Sequence, residues 1–559
     1  MKVTILVAAI LILQVIITPF AISRMTLNPI TRSKSVLPGK ILFAPVASTQ
    51  TYMVDDAGNI TNTWNSSYWP GFSVHMAYDG TMLRSIHLPN GYIGEGGGGI
   101  ERYSMGGTLL WQFTYLNDTH CTHHDFAPMP NGNVLMISYE VKSKADCIQV
   151  GRINAVEGLF SEEIIEVKPT GPTSGNIVWR WSLWQHLVQD YDPTKPDYGN
   201  LSQHPELADI NYGGDANDFV HANSIDYNLK FDQILLSVRN FNEVWVLDHS
   251  TTTEEASGHT GGKYSHGGDI LYRWGNPESY DRGNASDRVF WMQHGVSWVH
   301  DGYPGAGHIL VYNNGFGGRY FSTVDEFAPP VNETGFYSLE PGKAYGPSGL
   351  CWTYSPTPQI YNWHFSNANR LPDGNTLIAS GDNGHFFIVT PAGNTIWNYQ
   401  YWIPPPVGII FNVCFIPNGT PPTQPKLATE GSFTWNHIKP GDTVQGDFQV
   451  KNIGSGTLYW AVNHSSIGFG NWTFSPTLGE LTAGKQVDVH VTMIVPDESY
   501  HQWEGYIAIY NVGNTSDISF VPVFLKTDLI LGKGISLMMH SNMNTLMVKM
   551  RLIMKPFHQ

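Results

Sequence analysis

The sequence predicts an all-β protein in which a six-bladed β-propeller over residues 40–417 precedes an immunoglobulin-like β-sandwich over residues 428–527. Two motifs that recur through the first region and short alternating strands in the second lead to this prediction. The composition agrees, because 57 Gly, 35 Pro, 13% aromatic residues and only 14% charged residues are typical of a turn-rich β protein.

The first recurring motif is a histidine followed by a tight turn and a short apolar run. Clear turns are Asn131-Gly132 and Asp373-Gly374, in which Gly accepts the positive φ that a tight hairpin requires. Each copy therefore predicts a strand that starts at the histidine, a turn and a second strand. The motif histidines are His75, His124, His221, His294 and His364.

The second recurring motif is a Gly, Asn or Asp turn followed by a short strand that ends on Trp. Its copies end at Trp64, Trp111, Trp179, Trp274, Trp352 and Trp397. Repeats of this length are typical of radial arrays of four-stranded sheets. The motif therefore predicts six blades, and the polar stretches 185–214, 254–268 and 327–349 are predicted insertions over one face.

The two ends of the chain lie outside these repeats. Residues 1–24 are almost wholly apolar after Lys2 and are expected to be a signal peptide or a signal anchor. The remainder is then extracytoplasmic, either secreted or anchored to the outer face of the cell membrane. Alternating strands over 428–527 predict the sandwich, and the Met- and Lys-rich tail, 528–559, is left unassigned.

Charge and cysteine content exclude some functions. The net charge of −16 argues against a nucleic-acid partner, although one Arg in a narrow channel still permits a small anionic substrate. The four cysteines include no Cys-x-x-Cys, so disulfides are favoured over a zinc or redox site, with Cys121–Cys147 and Cys351–Cys414 among three possible pairings.

The motif histidines are candidates for one site, because the first strand of each propeller blade lines the central channel. The alternative is that each histidine hydrogen-bonds a neighbouring blade, and this is preferred for His75 and His124. Internal alignment places Arg319 and His385 at equivalent positions, facing the same mouth as His294. Several imidazoles and a guanidinium suit a sulfate or phosphate group better than a metal, and no metal or cofactor is expected.

Three segments together resemble the PAPS-independent arylsulfate sulfotransferase family. They are Asp218-Phe-Val-His221-Ala-Asn223-Ser224-Ile, Met292-Gln293-His294 on to Tyr312-Asn313-Asn314-Gly315 and Arg319, and Arg370-Leu-Pro-Asp-Gly-Asn-Thr-Leu-Ile378 on to Gly384-His385. The resemblance implies a six-bladed propeller that moves a sulfuryl group from an aryl sulfate donor to a phenolic acceptor. It also implies a sulfohistidine intermediate and no nucleotide sulfate donor.

The resemblance also implies roles for individual residues. His221, His294 and Arg319 would hold the sulfuryl oxygens and help protonate the departing phenolate. His385 would be the nucleophile, with His364 as the second candidate. The candidate substrate-binding residues are Asn223, Asn314 and His124.

Two other functions remain open from the sequence. The first is a non-catalytic, surface-anchored propeller that binds glycans or proteins, with the sandwich as a spacer. The second is another propeller enzyme such as a quinone-dependent dehydrogenase, which is disfavoured because its Trp-docking and calcium-carboxylate pattern is missing. The oligomeric state and the natural donor and acceptor are left open.

Overall fold

A computed structural model describes residues 38–528 except 78–79, 90–96, 130, 214–216, 229, 301, 402–407, 418–425, 454–456, 464–466, 483–484 and 513. The predicted signal segment, 1–24, and all of the unassigned tail except Asp528 lie outside the described residues. Among the residues within that description, no helix is both long and apolar enough to cross a membrane.

The described chain from Gly39 to Pro417 is built mainly from six four-stranded antiparallel sheets. Sheet 1 contains β1 (Gly39–Pro45), β2 (Gln50–Asp55) and β3 (Ile60–Asn65). Sheet 2 contains β4 (Trp69–Met76), β5 (Met82–His87), β6 (Gly98–Tyr103) and β7 (Leu109–Thr114). Sheet 3 contains β8 (His120–Pro128), β9 (Val134–Lys142), β10 (Leu159–Gly171) and β11 (Ser174–Ser182).

The next strands continue this order after a short parallel pair, β12 (Leu187–Val188) and β13 (Ala208–Asp209). Sheet 4 contains β14 (Ala222–Asn228), β15 (Gln233–Val238), β16 (Glu243–Asp248) and β17 (Tyr272–Trp274). Sheet 5 contains β18 (His294–Trp298), β19 (Ile309–Asn313), β20 (Thr323–Phe327) and β21 (Trp352–Tyr354). Sheet 6 contains β22 (Ser366–Arg370), β23 (Thr376–Ser380), β24 (His385–Val389) and β25 (Thr395–Gln400). Strand β26 (Ile410–Pro417) then pairs with β1 and completes sheet 1.

Helices in the described chain are short. The α-helices are α1 (Lys144–Gln149) and α2 (Thr253–Ala256), and the single-turn 3₁₀ helices are Leu183–Gln185, Leu201–Gln203, Arg239–Phe241, Pro277–Tyr280, Ala285–Asp287 and Gly381–Asn383. Both α-helices begin with a capping box, in which the Ser143 or Thr252 hydroxyl accepts from the backbone three residues later.

The first strands of the six sheets form a closed circuit. Strand β4 contacts β8, β8 contacts β14, β14 contacts β18, β18 contacts β22, β22 contacts β26, and β26 returns to β4. Apolar side chains from neighbouring sheets are buried together, as in the cluster that joins Leu235 of sheet 4 to Val311 of sheet 5. The architecture is therefore all-β and propeller-like.

The recurrent tryptophans join neighbouring sheets. Each lies in the strand at the opposite edge of its sheet from the first strand, and each indole N–H donates to an oxygen of the next sheet or its connections. The acceptors are Ser104 O for Trp64, Ser174 O for Trp111, Thr251 Oγ1 for Trp179, Pro347 O for Trp274, Pro391 O for Trp352 and Asp56 O for Trp397. The last of these bonds joins sheet 6 to sheet 1, so the recurrent tryptophans link all six sheets into a ring.

Two further sheets follow over Leu427–Thr527. The four-stranded sheet has the order β27 (Leu427–Glu430), β29 (Thr443–Asn452), β33 (Gln486–Ile494) and β31 (Asn471–Ser475). The five-stranded sheet has the order β28 (Phe433–Ile438), β35 (Asn514–Thr527), β34 (Gln502–Asn511), β30 (Thr457–Asn463) and β32 (Leu478–Thr482). Phe448, Val489 and Ile507 belong to one buried core formed by both sheets, as alternating strands predict.

The cysteines differ from the prediction. All four are free thiols, so the structure contains neither of the disulfides considered, Cys121–Cys147 and Cys351–Cys414. Cys121 is buried in β8, where burial raises the pKa of its thiol to about 12. A buried thiol of this kind packs as a small apolar side chain.

Candidate functional site

Six side chains from the starts of the six first strands meet in one place. We call this set the central cluster, and its members are Phe72, His124, His221, His294, Phe365 and Phe411. The ring centroids of His124 and His221 are 4.8 Å apart, and those of His294 and Phe411 are 6.4 Å apart. The cluster therefore has an imidazole side, contributed by sheets 3, 4 and 5, and a phenyl side, contributed by sheets 6, 1 and 2.

The backbone at three of these positions is in a region that L-residues rarely adopt. The φ angles are 102° at Phe72, 51° at His124 and 53° at His221. Holding a non-glycine residue in such a conformation costs about 1–3 kcal/mol and occurs where the surrounding structure imposes it, often at functional sites. The shared conformation aims these side chains at their neighbours across the cluster.

His294 is buried and held in one orientation. Its Nδ1 lies 2.9 Å from Asn314 Oδ1 and 3.2 Å from Met292 O, so Nδ1–H donates to these oxygens. Burial lowers the pKa of His294 well below its ordinary value, and the charge of Arg239 lowers it further. His294 is therefore neutral near pH 7, with its proton on Nδ1 and a lone pair on Nε2.

His221 has a carboxylate partner instead. Its Nδ1 lies 2.6 Å from Asp218 Oδ2. This contact fixes the orientation of the His221 ring, and an imidazole held in this way can serve as a general acid or base. Arg239 lies in the turn after β15, where its backbone N–H donates to His221 O, and its guanidinium is close enough to affect the titration of His294. The cluster offers imidazole groups and Arg239 beside it offers a guanidinium, and both kinds of group can donate hydrogen bonds to an oxyanion.

The third imidazole belongs to a buried chain of polar groups. His124 Nδ1 lies 2.8 Å from His123 Nδ1, and His123 Nε2 lies 3.0 Å from Glu162 Oε2. The other oxygen of Glu162 accepts the backbone N–H of Ala222, next to His221. Burial raises the pKa of the Glu162 carboxyl well above its ordinary value. This chain joins the imidazole of His124 to the backbone beside His221 through one carboxyl group.

A separate cavity of about 360 Å³ lies farther along the first strands, and Phe411 contributes to both sites. His75 lines this cavity, with Nε2 2.8 Å from Asp125 Oδ1. His75 therefore does not join His124, His221 and His294, and its partner is a side chain of the next sheet, whereas a bond to the backbone of that sheet was expected. His124, for which the same structural role was preferred, lies in the central cluster.

Other predicted site residues lie outside the central cluster. Arg319 contacts Thr323, Asp325 and Phe321 of its own sheet and the adjoining turn. His385 begins the third strand of sheet 6, is half-buried, and packs 4.9 Å from Phe387. Neither residue contacts a cluster imidazole in the described part of the chain. Of the four residues expected to meet, His221 and His294 belong to the central cluster, and Arg319 and His385 lie outside it.

The remaining candidates lie beside the cluster. His364 contacts Phe365, and its backbone N–H donates to Asp382. Asn314 orients His294 and donates to Asn362 O, His364 O and Ser366 Oγ, which joins sheet 5 to sheet 6. Asn223 donates to Gln293 O at 2.8 Å and joins sheet 4 to sheet 5.

Sequence reasoning missed several residues that the structure places in or near the cluster. Phe72, Phe365 and Phe411 occupy positions equivalent to the histidines, but a search for histidine did not detect them. Asp218 lies three residues before His221 and was given no role, although the Asp-x-x-His spacing could have identified it. Arg239, 18 residues after His221, lies in the turn after the second strand, at the place that corresponds to Arg319 and His385 in the internal alignment, and was likewise given no role.

Comparisons with known proteins identify the family. The arylsulfotransferase (ASST) family profile matches residues 31–396, which is more than half of the chain and includes five of the six cluster residues. A comparison with curated proteins found no match.

Solved structures resemble the chain only distantly. A protein of unknown function from Bacteroides caccae is 11% identical, covers 68% of this chain and 99% of its own, and has a TM-score of 0.39. The periplasmic gluconolactonase PpgL from Pseudomonas aeruginosa is 13% identical over 68% of this chain and 99% of its own, with a TM-score of 0.36. Similarity this low does not transfer their functions. The extent of the profile match is decisive, and the chain belongs to the arylsulfotransferase family.

Proposed function

We propose that this protein transfers a sulfuryl group from an aryl sulfate ester to a phenolic acceptor at the central cluster, without PAPS. We also propose that the six sheets are the blades of a six-bladed β-propeller and that the cluster lies in its channel. The observation that carries the proposal is the convergence of His124, His221 and His294 on one side of the cluster, facing three phenylalanines.

The two sides of the cluster match the two halves of an aryl sulfate. The sulfuryl oxygens carry the negative charge and accept hydrogen bonds from Arg239 and the imidazole N–H groups. The aromatic ring of the donor packs on Phe72, Phe365 and Phe411, where offset and edge contacts between rings are favourable. Donor and acceptor are both aryl groups, so the same apolar side can serve both halves of the reaction.

Among the imidazoles, His294 is the nucleophile that the geometry favours. Nε2 of His294 attacks sulfur, the bond from sulfur to the aryl oxygen breaks, and the phenolate leaves with the electron pair and takes a proton from His221. In the second half, the acceptor phenol returns a proton to His221 and its oxygen attacks the sulfur of the sulfohistidine, while the bond from sulfur to Nε2 breaks and its electron pair returns to Nε2. His294 is then restored, and atoms and protons balance.

This assignment differs from the expectation for His385 and His364. His294 is held by Asn314 so that Nε2 is unprotonated, which is the form a nucleophile needs. His385 lies on a third strand away from the imidazoles, and His364 lies beside the phenyl side. Both residues, together with Arg319, are retained as alternatives that mutation distinguishes.

The ends of the chain fit an extracytoplasmic enzyme. Residues 1–24 would direct export and either be removed or remain as an anchor, and the two C-terminal sheets would form an immunoglobulin-like spacer. The natural donor and acceptor are small aromatic molecules under this proposal, and no nucleic acid is involved.

The proposal is tested with purified protein, p-nitrophenyl sulfate as donor and phenol as acceptor. We expect acceptor-dependent p-nitrophenolate release and formation of phenyl sulfate. His294→Ala should lower turnover at least about a thousandfold, as removal of a nucleophile does. His437→Ala, at an exposed position in the C-terminal sheets, is the matched control.

Three outcomes would contradict parts of the proposal. Release without an acceptor would indicate a sulfatase. No turnover with a broad panel of aryl sulfates, while sulfate still binds, would favour the non-catalytic binding propeller. Loss of turnover in His385→Ala but not in His294→Ala would indicate that His385, in the third strand of sheet 6, is the nucleophile.

A further inference from the structure

We propose that His186, His259 and Asp269 form a binding site for a divalent transition metal of the zinc class, away from the central cluster. His186 Nδ1 and His259 Nδ1 each lie 2.8 Å from Asp269 Oδ1. The three potential ligand atoms all lie within 4.8 Å of one another. This site is independent of the proposed sulfotransfer and of the family assignment.

The second ring nitrogen of His186 supports a metal at the first. His186 Nε2 lies 2.9 Å from Ala256 O, and its side chain is fully buried. A carbonyl only accepts, so Nε2–H donates to Ala256 O, and Nδ1 is the nitrogen that faces Asp269. A metal-binding histidine typically donates its other N–H to a carbonyl in this way, which fixes the orientation of the ring.

Two further residues hold His186 in position. Trp181 stacks on the imidazole with an interplanar angle of 5°, and its indole N–H donates to Gly268 O at 2.7 Å. Gly268 approaches so closely that a Cβ there would lie 2.6 Å from His186 Nε2 and 2.1 Å from Ala256 O. Any larger residue at position 268 would displace the His186 imidazole. Glycine at this position therefore leaves the space that the imidazole occupies beside Asp269.

The donor set selects the class of metal. Two imidazole nitrogens and one carboxylate oxygen suit Zn²⁺, with Cu²⁺ and Ni²⁺ as competitors, whereas Ca²⁺ and Mg²⁺ prefer all-oxygen sites. Tetrahedral Zn²⁺ with bonds of about 2.0–2.1 Å keeps its ligand atoms about 3.3 Å apart. The two nitrogen–oxygen separations of 2.8 Å would lengthen by about half an ångström, and the two imidazole nitrogens, which lie within 4.8 Å of each other, would adjust to the same spacing. His259 is 57% exposed, which leaves room for water as the fourth ligand.

The location indicates what the metal would do. His186 follows the last strand of sheet 3, and His259 and Asp269 lie in the connection between the third and fourth strands of sheet 4. His186 and His259 lie in two of the insertions predicted from the sequence, 185–214 and 254–268, and Asp269 directly follows the second. A bound cation would tie them together, as structural zinc does elsewhere.

The test measures zinc in tag-free protein that has been stripped with a chelator, reloaded with zinc chloride and desalted. We expect one tightly bound zinc per chain by elemental mass spectrometry and a higher melting temperature with zinc than with chelator. His259→Ala, at an exposed position, should lose both effects. Its loss of affinity should exceed the 10–100-fold typical of a partner that only orients a metal ligand. Asp269→Asn keeps the size of the side chain and should weaken binding in the same direction.

Two controls separate this site from others. His204→Ala removes a partly exposed histidine of the same insertion, which contacts Glu206, and should retain the zinc. His221→Ala should also retain it, because zinc held by the imidazoles of the central cluster would be lost in that variant instead. Equal zinc content in the wild type and His259→Ala, zinc loss only in His221→Ala, or no tightly bound zinc in the wild type would overturn the proposal.

Discussion

The Asn314→Ala substitution tests whether turnover depends on how His294 is oriented. It removes the hydrogen bond that orients the imidazole but leaves His294 in the central cluster. Asn314 Oδ1 accepts the Nδ1–H of His294 at 2.9 Å, and this bond leaves Nε2 unprotonated. A neutral hydrogen bond contributes about 0.5–1.5 kcal/mol, and about 1.4 kcal/mol changes a rate tenfold. We therefore expect Asn314→Ala to lower kcat/KM for p-nitrophenyl sulfate by about two- to tenfold.

The same substitution affects stability, because Asn314 Nδ2 donates to Asn362 O, His364 O and Ser366 Oγ. Asn362 O keeps a second donor, Ser322 Oγ, which limits the loss. We expect the free energy of unfolding to fall by about 2–4 kcal/mol, measured by urea denaturation.

Asn223→Ala is the matched variant, since it also removes a buried amide between two sheets. Asn223 donates one bond, to Gln293 O, and contacts no cluster imidazole in the described structure. We expect it to lose about 1–3 kcal/mol of stability and less turnover than Asn314→Ala. The reasoning fails if folded Asn314→Ala and Asn223→Ala have equal kcat/KM.

Three other predictions concern charge. Arg239→Met should raise KM for the aryl sulfate about 10–100-fold in steady-state assays, because a hydrogen bond to a charged group contributes about 1.5–3 kcal/mol; an unchanged KM would exclude Arg239 from anion binding. Arg273→Met should lower the free energy of unfolding, measured by denaturation, by about 3–5 kcal/mol, because it leaves the fully buried Glu243 carboxylate without its charged partner. A loss below about 1 kcal/mol would contradict this prediction. Burial lowers the pKa of His75, but Asp125 more than offsets this and raises it to about 10, so the resulting stabilisation is present below pH 6.5 and is lost as pH rises towards 10. Wild-type protein should therefore lose more stability than His75→Gln between pH 7 and pH 10, and parallel pH profiles would refute the pairing.

The repeat of sheets could be predicted from sequence because its signals are local. Each turn-to-Trp segment specifies one edge strand, and all six tryptophans lie in such strands. Their hydrogen bonds to the next sheet could not be read from the motif, since they depend on how sheets pack. The disulfide prediction was wrong because cysteine spacing does not determine which thiols meet.

The site was predicted in part. The sequence analysis expected His221 and His294 in one site because both lie at the beginning of first strands, and both belong to the central cluster, whereas His364 is one residue before the position that Phe365 takes. His364 and Phe365 both precede β22, so the motif alone does not indicate which of the two faces the cluster. The sequence did not indicate the proposed metal site, because 83 residues separate His186 from Asp269 and no spacing rule joins them.

Mapping the covalent intermediate tests the central claim most directly. The protein would be mixed with p-nitrophenyl sulfate without acceptor, quenched rapidly in alkali, digested and analysed by mass spectrometry, with His294→Ala treated in parallel. The account predicts a sulfuryl adduct on His294 that disappears when phenol is added before the quench. An adduct on His385, His364 or any residue outside the central cluster, with turnover demonstrated in the same preparation, would contradict it.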